Sequence, residues 1–159
     1  MKNNIQYSEW IEIGKQKGFH DYYKDMVRIA VENEIEKIKC ACDENYILKN
    51  GYGTGYNQVV LNCPDWLYIA DKKTIGVDKC LADEILSLWD KGIKTRGCCC
   101  GHNLAYGYIQ VEDEEDKKKM IELGYRKYYY GGQQHKRDDA FLPKTLFKNL
   151  KYIYEPNRK

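Results

Sequence analysis

Asp78-Lys79-Cys80-Leu81-Ala82-Asp83-Glu84-Ile85-Leu86-Ser87-Leu88-Trp89-Asp90-Lys91-Gly92-Ile93 reads as one complete helix with its start and stop signals in place. Asp78 is an N-capping residue type, Leu81, Ile85, Leu86, Leu88 and Trp89 recur at helical spacing, and Gly92 followed by apolar Ile93 matches a Schellman-type C-terminus. A strand from Ile93 then leads into a cysteine cluster. The same grammar recurs downstream: a strand over 106–111, Asp113 as N-cap with Asp116 three residues on, apolar Met120, Ile121 and Leu123, Gly124 as stop, and Tyr125 opening a new strand. Two such units predict an α+β fold, a small mixed or antiparallel sheet with helices packed on it. Two examples are too few to make a repeat protein.

Upstream of this stretch, Val59-Val60-Leu61 and Trp66-Leu67-Tyr68-Ile69 read as short strands around Cys63-Pro64. Before them, Asn50-Gly51 is a tight-turn signal and Gly51, Gly53 and Gly55 alternate, so little helix is expected across the middle of the chain. Further back, Val27, Val31, Ile35 and Ile38 follow helical spacing and predict an amphipathic helix over 20–39, after a shorter one over 8–16. Cys40 and Cys42 follow where that periodicity ends. At 159 residues the chain fits a single domain, 1–159, with a helical N-terminal part over 1–42 and an α+β metal-binding core over 43–159.

Cys98-Cys99-Cys100-Gly101-His102 puts several soft metal ligands at one bend, with Cys63 and Cys80 upstream to complete a tetrahedral shell. Zinc is the cofactor this pattern implies. The preferred shell takes two groups from Cys98, Cys99, Cys100 and His102 and adds Cys63 and Cys80. In an extended segment Cys98 and Cys100 share a face with His102 while Cys99 points away, unless Gly101 turns the chain. The competing readings are buried inert thiols and a reactive thiol bracketed by Arg96 and His102.

Composition adds a second theme. Tyr is over-used, 15 against 3 Phe, and although the formal charge is only +2 the stretch from Lys117 to Lys159 holds twelve Lys or Arg against four Asp or Glu. Alternate residues of Arg126-Lys127-Tyr128-Tyr129-Tyr130 would present cations and rings able to hold phosphates and stack bases. Arg126, Lys127, Tyr128 and Tyr130 are therefore ligand-binding candidates, with Arg96 beside the cysteines and Gly53 and Thr54 in a glycine loop that could offer backbone N–H groups to a phosphate. The first seven residues lack the apolar run of a signal peptide, and no stretch approaches membrane-spanning length. Seven cysteines without an export signal read as cytoplasmic thiols or metal thiolates.

The segment from Val77 to Ile85, continuing through Gly92-Ile93-Lys94-Thr95 to Cys98-Cys99-Cys100-Gly101-His102, resembles small uncharacterised proteins of Firmicutes and their bacteriophages that carry a G-I-x-T…C-C-x-G-H signature. Ala140-Phe141-Leu142-Pro143-Lys144 is similar to their closing F-x-P-K. The resemblance covers roughly the second half of the chain and carries context rather than mechanism. It implies a phage or prophage setting in the cytoplasm of a bacterial host, where small proteins often block defence. The expectation is thus a zinc-stabilised phage-type binding protein, an anti-defence factor that holds a nucleotide signal or nucleic acid or inhibits a host protein, with no membrane partner and with self-association into a homo-oligomer open. The alternative is a zinc- or cysteine-dependent enzyme acting on a nucleotide or nucleic acid. No H-x-E with P-C-x-x-C and no HExxH is present, so binding is favoured over catalysis.

Overall fold

The computed structural model describes residues 36–51, 55–67, 72–103, 107–130 and 135–148. The expected helix over 8–16 and most of the one over 20–39 lie outside these residues, as do Tyr68 and Ile69. Where the second helix was expected to end, Glu36–Lys37 is instead a strand, β1. Its partner is Phe147–Lys148 near the other end of the chain, and Ile38 N–H donates to Leu146 O at 2.7 Å. A backbone partner more than 100 residues away satisfies these amides, and local periodicity cannot anticipate it.

A second correction follows at once. Glu44–Asn50 is a helix, α1, in the region expected to be poor in helix. Asp43 caps it by accepting N–H bonds from Asn45 and Tyr46, Ile47 anchors it in the interior, and Gly51 ends it at φ 88° with its N–H on Ile47 O. Asn50-Gly51 is thus a helix stop, not a hairpin turn.

β2 (Gln58–Asn62) pairs antiparallel with β3 (Thr74–Asp78) in register Val60↔Gly76. Trp66 and Leu67 were expected in a strand, but Asp65 and Trp66 form a turn, with Leu67 N–H on Pro64 O. Proline there supplies a carbonyl and no donor, which suits a turn better than a ladder. After β3 comes a 3-10 turn, Lys79–Leu81, then helix α2 (Ala82–Asp90), β4 (Gly97–Cys99), β5 (Tyr108–Gln110), helix α3 (Glu114–Glu122), β6 (Lys127–Tyr130), β7 (His135–Phe141) and β8 (Phe147–Lys148). The sheet order β4-β5-β7-β6 is antiparallel throughout. The fold is α+β.

The helix and glycine stop of both units stand as read, while the strands after them start later than expected, at Gly97 and Lys127. Gly92 N–H meets Trp89 O and Ile93 N–H meets Leu88 O, and Gly124 and Tyr125 repeat the pattern on Ile121 O and Met120 O. These are two Schellman closures. Asp113 caps α3 through Glu115 N–H. Asp116 does not complete a capping box; it is buried and accepts Lys94 N–H at 2.9 Å, tying α3 to the segment after α2. One core unites Leu81, Ile85, Leu88 and Trp89 of the first unit with Ile109, Met120, Phe141 and Leu142. Glu84 reaches across to accept Thr145 N–H at 3.0 Å, so it caps the turn Lys144–Leu146 that Pro143 starts, and burial raises its carboxyl above the usual range.

Candidate metal centre

Four sulfurs meet where the start of the described chain, the β3–α2 junction and the end of β4 converge. Cys40, Cys42, Cys80 and Cys100 have Sγ atoms all within 4.8 Å of one another. The contacts are 3.7 Å for Cys42–Cys80, 3.6 Å for Cys42–Cys100 and 3.9 Å for Cys40–Cys100. Four thiolates bound tetrahedrally to zinc at about 2.3 Å stand about 3.8 Å apart along each edge. Three of the sulfur contacts match that edge and all four sulfurs lie within 4.8 Å of one another, so the cluster could hold such a metal.

Local chemistry explains the convergence. Cys40 and Cys42 lie on the irregular segment between β1 and α1, held by a single side chain: Asn103 accepts Cys40 N–H at 2.8 Å and donates to Cys40 O at 3.0 Å and Cys42 O at 2.9 Å. Cys80 sits in the 3-10 turn, whose first amide, Lys79 N–H, donates to Asn57 O at 2.8 Å. Asp78, expected as a side-chain helix cap, makes no capping bond there. It is 4% exposed and accepts Cys100 N–H at 2.7 Å, which draws Cys100 out of the strand line and against Cys42. Gly101, His102 and Asn103 then take φ of 74°, 50° and 63°, a left-handed run that reverses the chain. Only Gly and Asn adopt such angles readily, so His102 is held there by its surroundings. Gly107 completes the close approach: at φ 76°, an added Cβ would lie 2.7 Å from Cys99 O.

Packing these thiols together pushes their ionisation in opposite directions. Burial pushes Cys42 up to about 12 against the pull of Asn57, whereas Cys40 is held down to about 5, chiefly by its hydrogen bond with Cys100. That same contact, with burial, pushes Cys100 up. A divalent cation, if bound, would supply the charge that lets all four act as thiolates. Nitrogens already face the sulfurs: Asn57 Nδ2 donates to Cys42 Sγ at 3.3 Å and to Cys80 Sγ at 3.7 Å, and His102 Nδ1 lies 3.3 Å from Cys42 Sγ and 3.5 Å from Cys100 Sγ. Asp78, Cys100 and His102 form a second donor group that shares Cys100 with the first.

Of the residues proposed as ligands from sequence, Cys80 and Cys100 enter the four-sulfur cluster and His102 lies against it. Cys63, Cys98 and Cys99 are not in either donor group. Cys63 follows β2, with its N–H on Lys73 O. Cys98 pairs with Ile109 across the sheet and is pushed up to about 12 by burial, then by Asp78; Cys99 Sγ accepts Gly101 N–H at 3.3 Å, and burial pushes it up to about 11. Cys98 and Cys99 are held in the β4–β5 ladder, whereas Cys100 lies just past it with its N–H on Asp78. The ligands not named from sequence are Cys40 and Cys42, which supply half the cluster. Their signal was present as a Cys-x-Cys pair directly before the Asp43 cap.

Among the ligand-binding candidates, Gly53 and Thr54 lie outside the described residues. Arg96 pairs with Glu112 at 3.0 Å and Lys127 with Asp138 at 2.8 Å, both on the surface. Arg126 accepts Leu142 N–H through its carbonyl, and Tyr128 and Tyr130 lie in β6. No helix among the described residues is long and apolar enough to cross a membrane. Comparison with protein-family models, curated proteins and solved structures returns no match.

Proposed function

We propose that this chain is a zinc-stabilised binding module of phage type, acting as an anti-defence factor that holds a nucleotide signal or nucleic acid or inhibits a host protein. The observation that carries the zinc part is the four-sulfur cluster, with three contacts of 3.6 to 3.9 Å and all four sulfurs within 4.8 Å of one another. Four cysteines fill four positions, and a closed shell is what distinguishes a structural zinc from a catalytic one. The ion would clamp the Cys40-Ala41-Cys42 segment to the β3–α2 junction and to the end of β4. Binding is favoured over turnover because the three-donor group that could leave a position open is sealed: Asp78 and His102 are each 4% exposed and Cys100 is 0% exposed. A substrate cannot touch them without opening the core.

Support for a polyanionic partner comes from the basic final quarter and from the Arg126-Lys127 strand. The decisive experiment is native mass spectrometry of the full chain purified from cells, paired with thermal melting in chelator. One zinc per chain and a large loss of melting temperature on chelation are expected. A metal-free protein whose melting ignores both zinc and chelator would refute the zinc reading. For the partner, Arg126→Gln with Lys127→Gln should weaken nucleotide or nucleic-acid binding most at low salt; unchanged binding would reassign β6 to packing.

A further inference from the structure

We infer that His102 is a fifth donor of the metal centre, able to take the coordination position of Cys40 while the ion stays bound. This rests on the zinc reading above and adds a means of regulating it. A nitrogen and a sulfur on one zinc, bonded at about 2.0 and 2.3 Å in tetrahedral directions, stand about 3.5 Å apart. His102 Nδ1 lies 3.3 Å from Cys42 Sγ and 3.5 Å from Cys100 Sγ. The imidazole is thus at a ligand's distance from two of the four sulfurs in the fold as it stands.

Cys40 is the position it would replace. Its contact with Cys100, at 3.9 Å, is the longest of the three sulfur contacts given above, and it is half-buried where Cys42 and Cys100 are buried. Its backbone is clamped on both sides by Asn103, so departure needs only a rotation about its Cα–Cβ bond. Asn103 directly follows His102, so one short turn both holds the departing residue and carries its replacement. Behind the ring, Asp78 Oδ2 lies 3.9 Å from His102 Nε2. At 3.9 Å this is an ion-pair distance, and it places a carboxylate on the side of the ring away from the sulfurs, where metal-binding imidazoles commonly have one.

The exchange balances simply. The zinc–sulfur bond to Cys40 breaks and that sulfur takes a proton from water. Nδ1 would bond the zinc through its lone pair, with the ring's remaining proton on Nε2 at the Asp78 side; any proton that Nδ1 carries beforehand leaves to solvent. The zinc would be divalent and four-coordinate before and after the exchange. Cys40 thereby becomes the thiol that a soft electrophile can take without stripping the metal.

Cobalt(II) bound to the full chain tests this, because its absorption reports the number of thiolates and the tetrahedral geometry. Cys40→Ala should keep one tetrahedral cobalt with a charge-transfer band reduced to that of three thiolates, weakened by less than about 100-fold. His102→Ala should keep the four-thiolate spectrum. The double variant should lose more than the product of the two single losses. Losses that simply multiply, or a Cys40→Ala spectrum indifferent to His102, would overturn the inference. If Cys40→Ala does not fold, limiting iodoacetamide on the zinc-loaded wild type decides instead: a zinc-retaining species alkylated at Cys40 is expected, and the same alkylation in His102→Ala should release zinc. Zinc release in both backgrounds would overturn it, whereas a wild-type chain that binds neither metal would overturn the zinc reading itself.

Discussion

Replacing Asn103 by Gly tests the side chain that bonds the backbone of the Cys40-Ala41-Cys42 arm three times. Three hydrogen bonds are lost, to Cys40 N–H, Cys40 O and Cys42 O. At about 1 kcal/mol each, their loss costs about 3 kcal/mol. Gly also has more freedom to lose on folding, which adds about 0.5–1 kcal/mol. Because Asn103 sits at φ 63°, Gly introduces no strain there, whereas Asn103→Ala should cost a further 1–2 kcal/mol or so for the left-handed backbone. For a chain of this length, 3 kcal/mol corresponds to a fall in melting temperature of about 6–12 °C. The assay is urea unfolding and thermal melting of zinc-loaded protein at a free zinc concentration fixed by a metal buffer. Asn50→Gly serves as control: its amide bonds only Tyr46 O at the exposed end of α1, and the cost should stay near 1 kcal/mol or so. If Asn103→Gly melts within about a degree of wild type, the arm is not held by this residue and the account of how the cluster assembles is wrong.

Other outcomes follow from the same geometry. Cys42→Ala should abolish zinc binding, whereas Cys63→Ala should leave stoichiometry at one ion per chain by native mass spectrometry; the reverse result would return the centre to the shell read from sequence. Gly107→Ala forces a Cβ against the backbone of Cys99 and Cys100 and should destabilise by at least about 2 kcal/mol and weaken zinc binding, while Gly92→Ala, with nothing within 4 Å, should cost only the left-handed strain of about 1–2 kcal/mol and leave zinc untouched. Asp138 is held below the usual carboxylate range by Lys127 and then Lys117. Its contribution is present above the ordinary aspartate value of about 4 and is lost as pH falls through the lower folded value, so the melting difference between wild type and Asp138→Asn should be small, constant above about pH 5, and vanish in strong acid.

The parts of this protein legible in its sequence are those specified by near neighbours. Asp113, Gly92-Ile93 and Gly124-Tyr125 do what their residue types imply, because a cap or a Schellman closure is completed within six residues. The α+β class followed from those units. Asp43 and Gly51 bound α1 with the same local chemistry, yet Asn50-Gly51 serves helix stops and hairpins alike, and there the hairpin was chosen.

What only the tertiary structure decided is which thiols meet. Three adjacent cysteines look like a ready-made site, but Cys98 and Cys99 belong to the β4–β5 ladder while Cys100 lies just past it, among sulfurs brought by other segments. Asp78 looked like a helix cap and instead anchors the Cys100 amide. Cys40 and Cys42 enter the cluster because Asn103, more than 60 residues on, holds their backbone. The chain's residue types establish that it carries enough soft donors for a metal. Their selection depends on distances between segments remote in sequence, and a sulfur becomes a ligand only where the packed fold brings it within about 4 Å of the others.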